Sequence, residues 1–368
     1  MISRRDFHTG LGAFTALGTL SIKPAMAGVS DQAKPVFNMP DEAAPHARTF
    51  MQWPVNRAVY PDHVFLGMVQ NAIARIANAI APFEPVVMLM ADQYAKAARR
   101  KLSASIDIWD IPTDDLWCRD SGPVFVKDSA GNFAISHLNF NGWGNKQTHH
   151  NDGKIARRLA RRLGLTVLDN GLVGEAGGVE ADGAGTLIAH ESSWINPNRN
   201  IGSKAEIGAL LLQTLGARKL IWAPGIKGAD ITDYHIDALA RFVRPGHVLI
   251  QMPEKVYKND PWSKAAFETY EILKSATDAK GRALQLTVLG DPKTPRIDSD
   301  DFVASYVNYY VCNGAVIAAQ FGDRPADAKA RETLARLYPA REIIMLNIDP
   351  LGEIGGGIHC ATMQQPAV

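Results

Sequence analysis

Between residues 63 and 81, apolar side chains fall at Val64, Phe65, Met68, Val69, Ala72, Ile73, Ile76 and Ile80. Steps of three and four place them on one face of a helix. Pro85 then opens the run Val86-Val87-Met88-Leu89-Met90, which reads as a buried strand, followed by a helix near 92–102 and a strand at 105–109. The same rhythm predicts helices at 152–163, 204–215, 263–277 and 326–337. It predicts strands at 123–127, 133–139, 186–190, 219–222, 247–251, 284–289, 306–311, 315–319 and 342–347. Helices and strands alternating over the whole length indicate an α/β protein. No low-complexity linker divides the chain, so one domain is expected over 28–368. Periodicity alone does not choose between a barrel, an open sheet and a propeller-like array.

The first 27 residues read differently. Arg4 and Arg5 are followed by a mildly apolar stretch from Leu11 to Ile22 and by Ala25-Met26-Ala27, a small-residue cleavage pattern. This is the layout of a twin-arginine export signal. The stretch is too short for the roughly 20 residues that cross a bilayer, so no membrane anchor is expected after its removal. The protein is therefore expected in the periplasm or secreted. The segment holds Arg4, Arg5 and Lys23 against Asp6, so the remainder carries 36 basic and 37 acidic residues. That balance gives no case for nucleic acid or an anionic membrane as partner. Cys118, Cys312 and Cys360 make an odd count, leaving at least one thiol without an intrachain partner.

Four polar, glycine-punctuated segments stand out: Asp115–Pro123, Glu175–Gly183, Asp230–Asp237 and Gly355–Cys360. Their chemistry suits a guanidinium substrate. Such a group is planar and cationic, so two carboxylates can fix its plane through paired hydrogen bonds. A thiolate can attack its electron-poor carbon, and a histidine can protonate the departing ammonia. Asp120 and Asp237 supply the carboxylates, His235 the acid/base and Cys360 the thiol. In an extended strand His235 and Asp237 would point to the same side. A free thiol ionises near about pH 8.5, so Cys360 needs help from a cationic substrate and from His235.

At this point the sequence resembles the agmatine deiminase and bacterial (Porphyromonas-type) peptidylarginine deiminase family, within the guanidino-group-modifying pentein superfamily. The matching text is MQWP at 51–54, DLWCRDSGP at 115–123, NFNGWGNK at 139–146 and EAGGVEADGAGTL at 175–187. It continues with NPNRN at 196–200, WAPG at 222–225, TDYHIDALARFVRPG at 232–246 and GGGIHCATMQQP at 355–366. The resemblance implies a five-bladed, pseudo-symmetric β/α propeller with the site at its centre and no metal or organic cofactor. It implies hydrolysis of a small guanidino substrate, foremost agmatine to N-carbamoylputrescine and ammonia, through a covalent amidino-cysteine intermediate. By that carry-over Cys360 is the nucleophile, His235 the acid/base, and Asp120 and Asp237 hold the guanidinium. Trp117, Glu175, Asp233 and Trp53 are the expected substrate contacts, although Trp53 and Trp143 read equally well as core residues. Assembly into a homo-oligomer is compatible with the sequence.

The chain departs from the family pattern where many agmatine deiminases read Asp-Asp-Thr-Asp-Gly-His. Here Ile231 replaces an acid and Tyr234 a glycine, where a substrate's distal amine would be recognised. Ala176 replaces the first glycine of Glu-Gly-Gly, and Ser192-Ser193-Trp194-Ile195 stands in place of Cys-Leu-Leu. Two other functions fit in part. An exported peptidylarginine deiminase would use the same residues behind a wider mouth. A periplasmic binding protein for guanidinium cations would need the acids and tryptophans but neither Cys360 nor His235. His149 and His150 beside Asp152 read as a solvated loop rather than a metal site, and Arg157, Arg158, Arg161 and Arg162 as the wet face of a helix.

Overall fold

The computed structural model describes residues 37–299 and 301–367. The expected export signal lies outside them. The described residues fall within one compact unit, Pro35–Val368.

Among the described residues, fifteen strands form five sheets by one repeated rule, and a sixteenth closes the ring. The first sheet runs β1 (His46–Gln52), β2 (Val86–Met90), β3 (Asp107–Asp110), all parallel. The second holds β4 (Val124–Lys127), β5 (Phe133–Ser136) and β6 (Thr166–Leu168), and the third β7 (Val179–Ala181), β8 (Thr186–His190) and β9 (Lys219–Ala223). The fourth holds β10 (Ala240–Arg244), β11 (His247–Met252) and β12 (Gln285–Gly290), and the fifth β13 (Tyr310–Cys312), β14 (Ala315–Ala319) and β15 (Glu342–Leu346). In sheets two to five an antiparallel pair is followed by a parallel third strand. A parallel neighbour needs a crossover, and a helix supplies it each time. The crossovers are Ile155–Leu163, Lys204–Leu215, Pro261–Ser275 and Arg324–Leu337, with His63–Ile80 serving β1 and β2. The first sheet lacks its antiparallel strand until β16 (Thr362–Pro366) returns from the far end of the chain and pairs with β1. This is the five-bladed β/α propeller.

Local chemistry explains the helices. Asp62, Asp260 and Asp323 accept first-turn amides, and Ser203 forms a capping box with Glu206. Helix His63–Ile80 buries Leu66, Val69, Ile73, Ile76, Ala77 and Ile80, so the buried set overlaps the predicted face, while Val64 and Met68 stay exposed. Each inserted isoleucine or leucine contributes about 1.5–3 kcal/mol of burial.

The edge strands β7 and β10 of neighbouring blades meet through polar side chains. Glu180 of β7 accepts from Arg241 Nε of β10 at 2.8 Å and from the Phe242 amide at 3.1 Å. Both side chains are buried, and burying such charges is tolerable only when they are paired.

Candidate active site

The candidate residues occupy equivalent places in the five blades. Asp120 precedes β4, Glu175 precedes β7, His235 and Asp237 precede β10, Asn308 precedes β13 and Cys360 precedes β16, each by two to five residues. The pseudo-symmetry thus delivers one polar loop per blade to one end of the axis. His235 and Asp237 are not on a strand as expected. His235 caps a single 3-10 turn, Ile236–Ala238, because the chain must bend before it enters β10. Both still line one cavity, together with Trp117, Asp120, Trp143, Asn308 and Cys360. Its volume is about 820 Å³.

Glycines set the floor of that cavity. A β-carbon on Gly177 would come within 2.8 Å of both Asp120 Oδ1 and His235 Nδ1, and within 3.1 Å of Asp237 Oδ2. Three functional groups therefore converge on a space that one methyl would invade. In the final motif, Gly356 has its Cα against the Trp117 ring and Gly357 against Asn308, where added β-carbons would each meet atoms at 2.5 Å. Gly355 has a φ of 86°, a conformation glycine adopts at no steric cost.

Asp120 Oδ2 accepts from the Trp143 indole at 2.9 Å, and Oδ1 accepts from the Gly177 amide at 3.3 Å. Burial pushes its carboxyl up to about 6, partly offset by His235. His235 Nδ1 lies 3.7 Å from Asp120 Oδ1, and Nε2 lies 3.1 Å from Glu175 Oε2. Burial disfavours the imidazolium, but Asp120 and Glu175 outweigh it and lift His235 to about 9. At neutral pH His235 is therefore a proton donor. Asp237 Oδ2 accepts from His359 Nδ1 at 2.7 Å; burial opposes ionisation, yet His359 holds this carboxyl below its usual range.

The Cys360 thiol is half-buried and donates toward Asp237 Oδ2 at 3.6 Å, while Asn308 Nδ2 donates to the sulfur at 3.2 Å. Desolvation, then the negative charges of Asp237 and Asp120, push the thiol well above its ordinary value. An approaching cation would reverse the last two effects.

The expected substrate contacts divide. Trp117 lines the cavity. Glu175 stands one layer back, paired with His235 and with Arg199 Nε at 2.9 and 3.0 Å. Asp233 does not reach the cavity: Arg199 Nη1 at 2.7 Å, Lys146 Nζ at 2.8 Å and the Gly228 amide at 2.8 Å consume its oxygens. Trp53 is 2% exposed in the main core and does not line the cavity, so it is a packing residue. Asp152, beside the two histidines, caps the Asp114 and Asp115 amides at 2.7 and 2.9 Å and so fixes the loop leading to Trp117 and Asp120. Cys118 and Cys312 are buried free thiols, and burial raises Cys118 beyond the range of ordinary chemistry and Cys312 to about 12.

Residues outside the sequence expectations complete the site. Asn308 lies within a stretch read as strand, and His359 lies beside the cysteine without an assigned role. Trp143 takes a left-handed backbone (φ 55°, ψ 43°), as do Asp233 (φ 60°) and Tyr234 (φ 69°). Such conformations cost roughly 1–3 kcal/mol each and cluster where surrounding structure over-determines them. Tyr234 packs between His190 and Trp262, with ring centroids 4.6 Å from each, and adds an aromatic wall to the cavity.

Residues 38–366 match the family model described as Porphyromonas-type peptidyl-arginine deiminase. The chain is 36% identical over 364 residues to an agmatine deiminase of Pseudomonas aeruginosa, covering 90% of this chain and 96% of that one. It is 33% identical over 368 residues to an agmatine deiminase of Medicago truncatula, covering 90% and 97%. Among solved structures, an agmatine deiminase of Enterococcus faecalis superposes with a TM-score of 0.82 at 29% identity, covering 90% of this chain and 96% of that one. The chain belongs to the Porphyromonas-type peptidyl-arginine deiminase family.

Proposed function

We propose that the protein hydrolyses the guanidino group of a small substrate, foremost agmatine, to the ureido compound and ammonia. The observation that carries this reading is the convergence of Asp120, His235 and Asp237 on the space above Gly177, with the Cys360 sulfur 3.6 Å from Asp237. Asp120 and Asp237 accept from the guanidinium N–H groups on two sides. The bound cation favours the thiolate that the free site disfavours. With His235 protonated, the thiol's proton leaves through Asp237 Oδ2 or to water. The sulfur then bonds to the guanidinium carbon, and an NH₂ group departs as ammonia with a proton from His235. Water attacks the amidino-thioether, His235 takes its proton, and the C–S bond breaks to restore the thiolate.

Its deiminase relatives and the need for both Cys360 and His235 favour an enzyme over a binding protein. A second reading, deimination of peptide arginine, is favoured by the space around the clamp. A hollow of about 420 Å³ adjoins the cavity across Trp117, Trp143, Ile231 and Ile354. Its acids are already engaged: Asp62 caps a helix, while Asp115 is bonded to Tyr60, Gln147 and the Leu116 amide. An uncharged chain suits that hollow better than a free ammonium. One assay separates the readings: product formation from agmatine, free arginine and a peptide arginine, measured side by side. Because the relatives are agmatine deiminases, agmatine turnover is expected to dominate despite that hollow; silence with all three overturns the proposal. Export through the twin-arginine route rests on Arg4, Arg5 and Ala25-Met26-Ala27. N-terminal sequencing of periplasmic protein should begin at Gly28.

A further inference from the structure

The side of the site away from the substrate holds a chain of buried groups that the chemistry above does not use. His359 is buried, and both ring nitrogens face carboxylate oxygens, Asp237 Oδ2 at 2.7 Å and Glu42 Oε2 at 2.7 Å. Ionised carboxylates only accept, so each ring nitrogen that carries a proton donates it to its carboxylate. Glu42 comes from the segment before β1 and is fixed in turn. Its Oε2 takes Arg241 Nη2 at 2.8 Å and Arg119 Nη2 at 3.2 Å, and its Oε1 accepts the Val311 amide at 3.1 Å. The His359 amide is held by Asn308 Oδ1 at 3.0 Å. At the other end of this chain, Asp237 lines the cavity with Oδ2 engaged, while buried Oδ1 has no hydrogen bond among the described residues.

We propose that His359 and Glu42 are positioning residues for the guanidinium clamp: Glu42 locks His359, His359 pins Asp237 Oδ2, and the plane of the carboxylate that faces the space above Gly177 is thereby fixed. The inference rests on the deiminase reading of the site. Its physical basis is the softness of an aspartate's terminal torsion, which has a broad, roughly two-fold profile. Without a bond at one oxygen, the carboxylate plane turns, and the two-sided grip on a flat cation is lost. Clamp geometry of this kind governs rate steeply, by roughly 100-fold for a misplacement of about 1 Å. Glu42 also ties the inner edges of the ring together, so its link to His359 joins the propeller axis to the catalytic end.

Two conservative variants separate positioning from support of the fold. In His359→Asn the amide nitrogen replaces Nδ1 and keeps the bond to Asp237 but loses Glu42. In His359→Gln it replaces Nε2 and keeps Glu42 but loses Asp237. The proposal predicts that the two orders cross: His359→Gln melts closer to wild type, yet loses roughly 30- to 100-fold in kcat/KM for agmatine, chiefly through KM. His359→Asn melts lower yet stays within roughly 5-fold of wild-type kcat/KM. Glu42→Gln should raise KM less, and its effect should not add to that of His359→Gln. Activity that follows melting temperature, or full activity in His359→Gln, overturns the proposal. If wild type turns over no guanidine, the deiminase reading fails instead. The positioning claim is then read from crystal structures of the two variants, with Asp237 unmoved in His359→Asn and turned in His359→Gln; an unmoved Asp237 in both overturns it.

Discussion

Gly177→Ala adds one methyl at the most crowded point of the site. The new carbon would stand 2.8 Å from Asp120 Oδ1 and His235 Nδ1 and 3.1 Å from Asp237 Oδ2, against ordinary contacts of 3.4–4 Å. These groups must each retreat by roughly 0.5 Å or share their space with the methyl. A displacement of about 1 Å costs on the order of 100-fold in rate, so roughly half that displacement at three groups predicts a 10- to 100-fold fall in kcat/KM. This corresponds to about 1.4–2.7 kcal/mol of transition-state stabilisation. Overpacking should lower stability by about 1–3 kcal/mol, which leaves the protein folded and measurable. Steady-state kinetics on agmatine read the effect, with thermal melting as the check on folding. Ala176→Gly in the same turn adds no atoms and should stay within roughly 2-fold of wild type while losing about 0.5–1 kcal/mol of stability. A folded Gly177→Ala enzyme with wild-type kcat/KM would show that the guanidinium does not lie above this glycine.

Two pH profiles test the electrostatics. Glu175→Gln removes the negative charge beside His235, whose elevated value near 9 then falls toward its ordinary 6.5. The proposed role of His235 as acid needs it protonated, so the alkaline limb of kcat/KM should shift down by roughly 1–2 pH units, and an unmoved limb refutes the assignment. Arg199 retains Asp233 and the Thr232 carbonyl, so the variant should fold. Trp143→Phe removes a donor from the Asp120 carboxylate, which burial already holds near 6. The ionised form loses support, so the acid limb should move up, with activity near pH 8 changed by less than about 3-fold; an acid limb that stays or falls contradicts the clamp.

The central strands and outer helices were legible because burial on both faces gives unbroken apolar runs, as in Val86–Met90 and Ala315–Ala319. Strands β1, β7, β10 and β16 were not. Buried polar residues, Thr49 and Gln52 in β1, Glu180 in β7, Arg241 in β10 and Thr362 and Gln364 in β16, break any alternation of apolar and polar residues. Asn308 was hidden for a related reason. Tyr306-Val307-Asn308-Tyr309-Tyr310 reads as strand, yet the strand begins at Tyr310. Before it, the Tyr306 amide donates to Gln251 Oε1 and the Asn308 amide to Ser305 Oγ, so side chains hold the backbone in place of a neighbouring strand. Residue type and spacing pointed to Cys360, His235, Asp120 and Asp237, which the fold brings to one cavity. They could not tell a group facing that cavity from one a layer behind. Asp233 faces Arg199 and Lys146, and only three-dimensional packing assigns it there.

The proposed chemistry requires the Cys360 sulfur to bond to the carbon of a guanidinium gripped by Asp120 and Asp237. Acid-quenched intact-protein mass spectrometry during agmatine turnover, followed by peptide mapping, tests it directly. An adduct with the mass of agmatine less ammonia is expected on the peptide containing Cys360 and is expected to be absent from Cys360→Ser. Turnover that persists in Cys360→Ser, or an adduct mapped to Cys118 or Cys312, contradicts it.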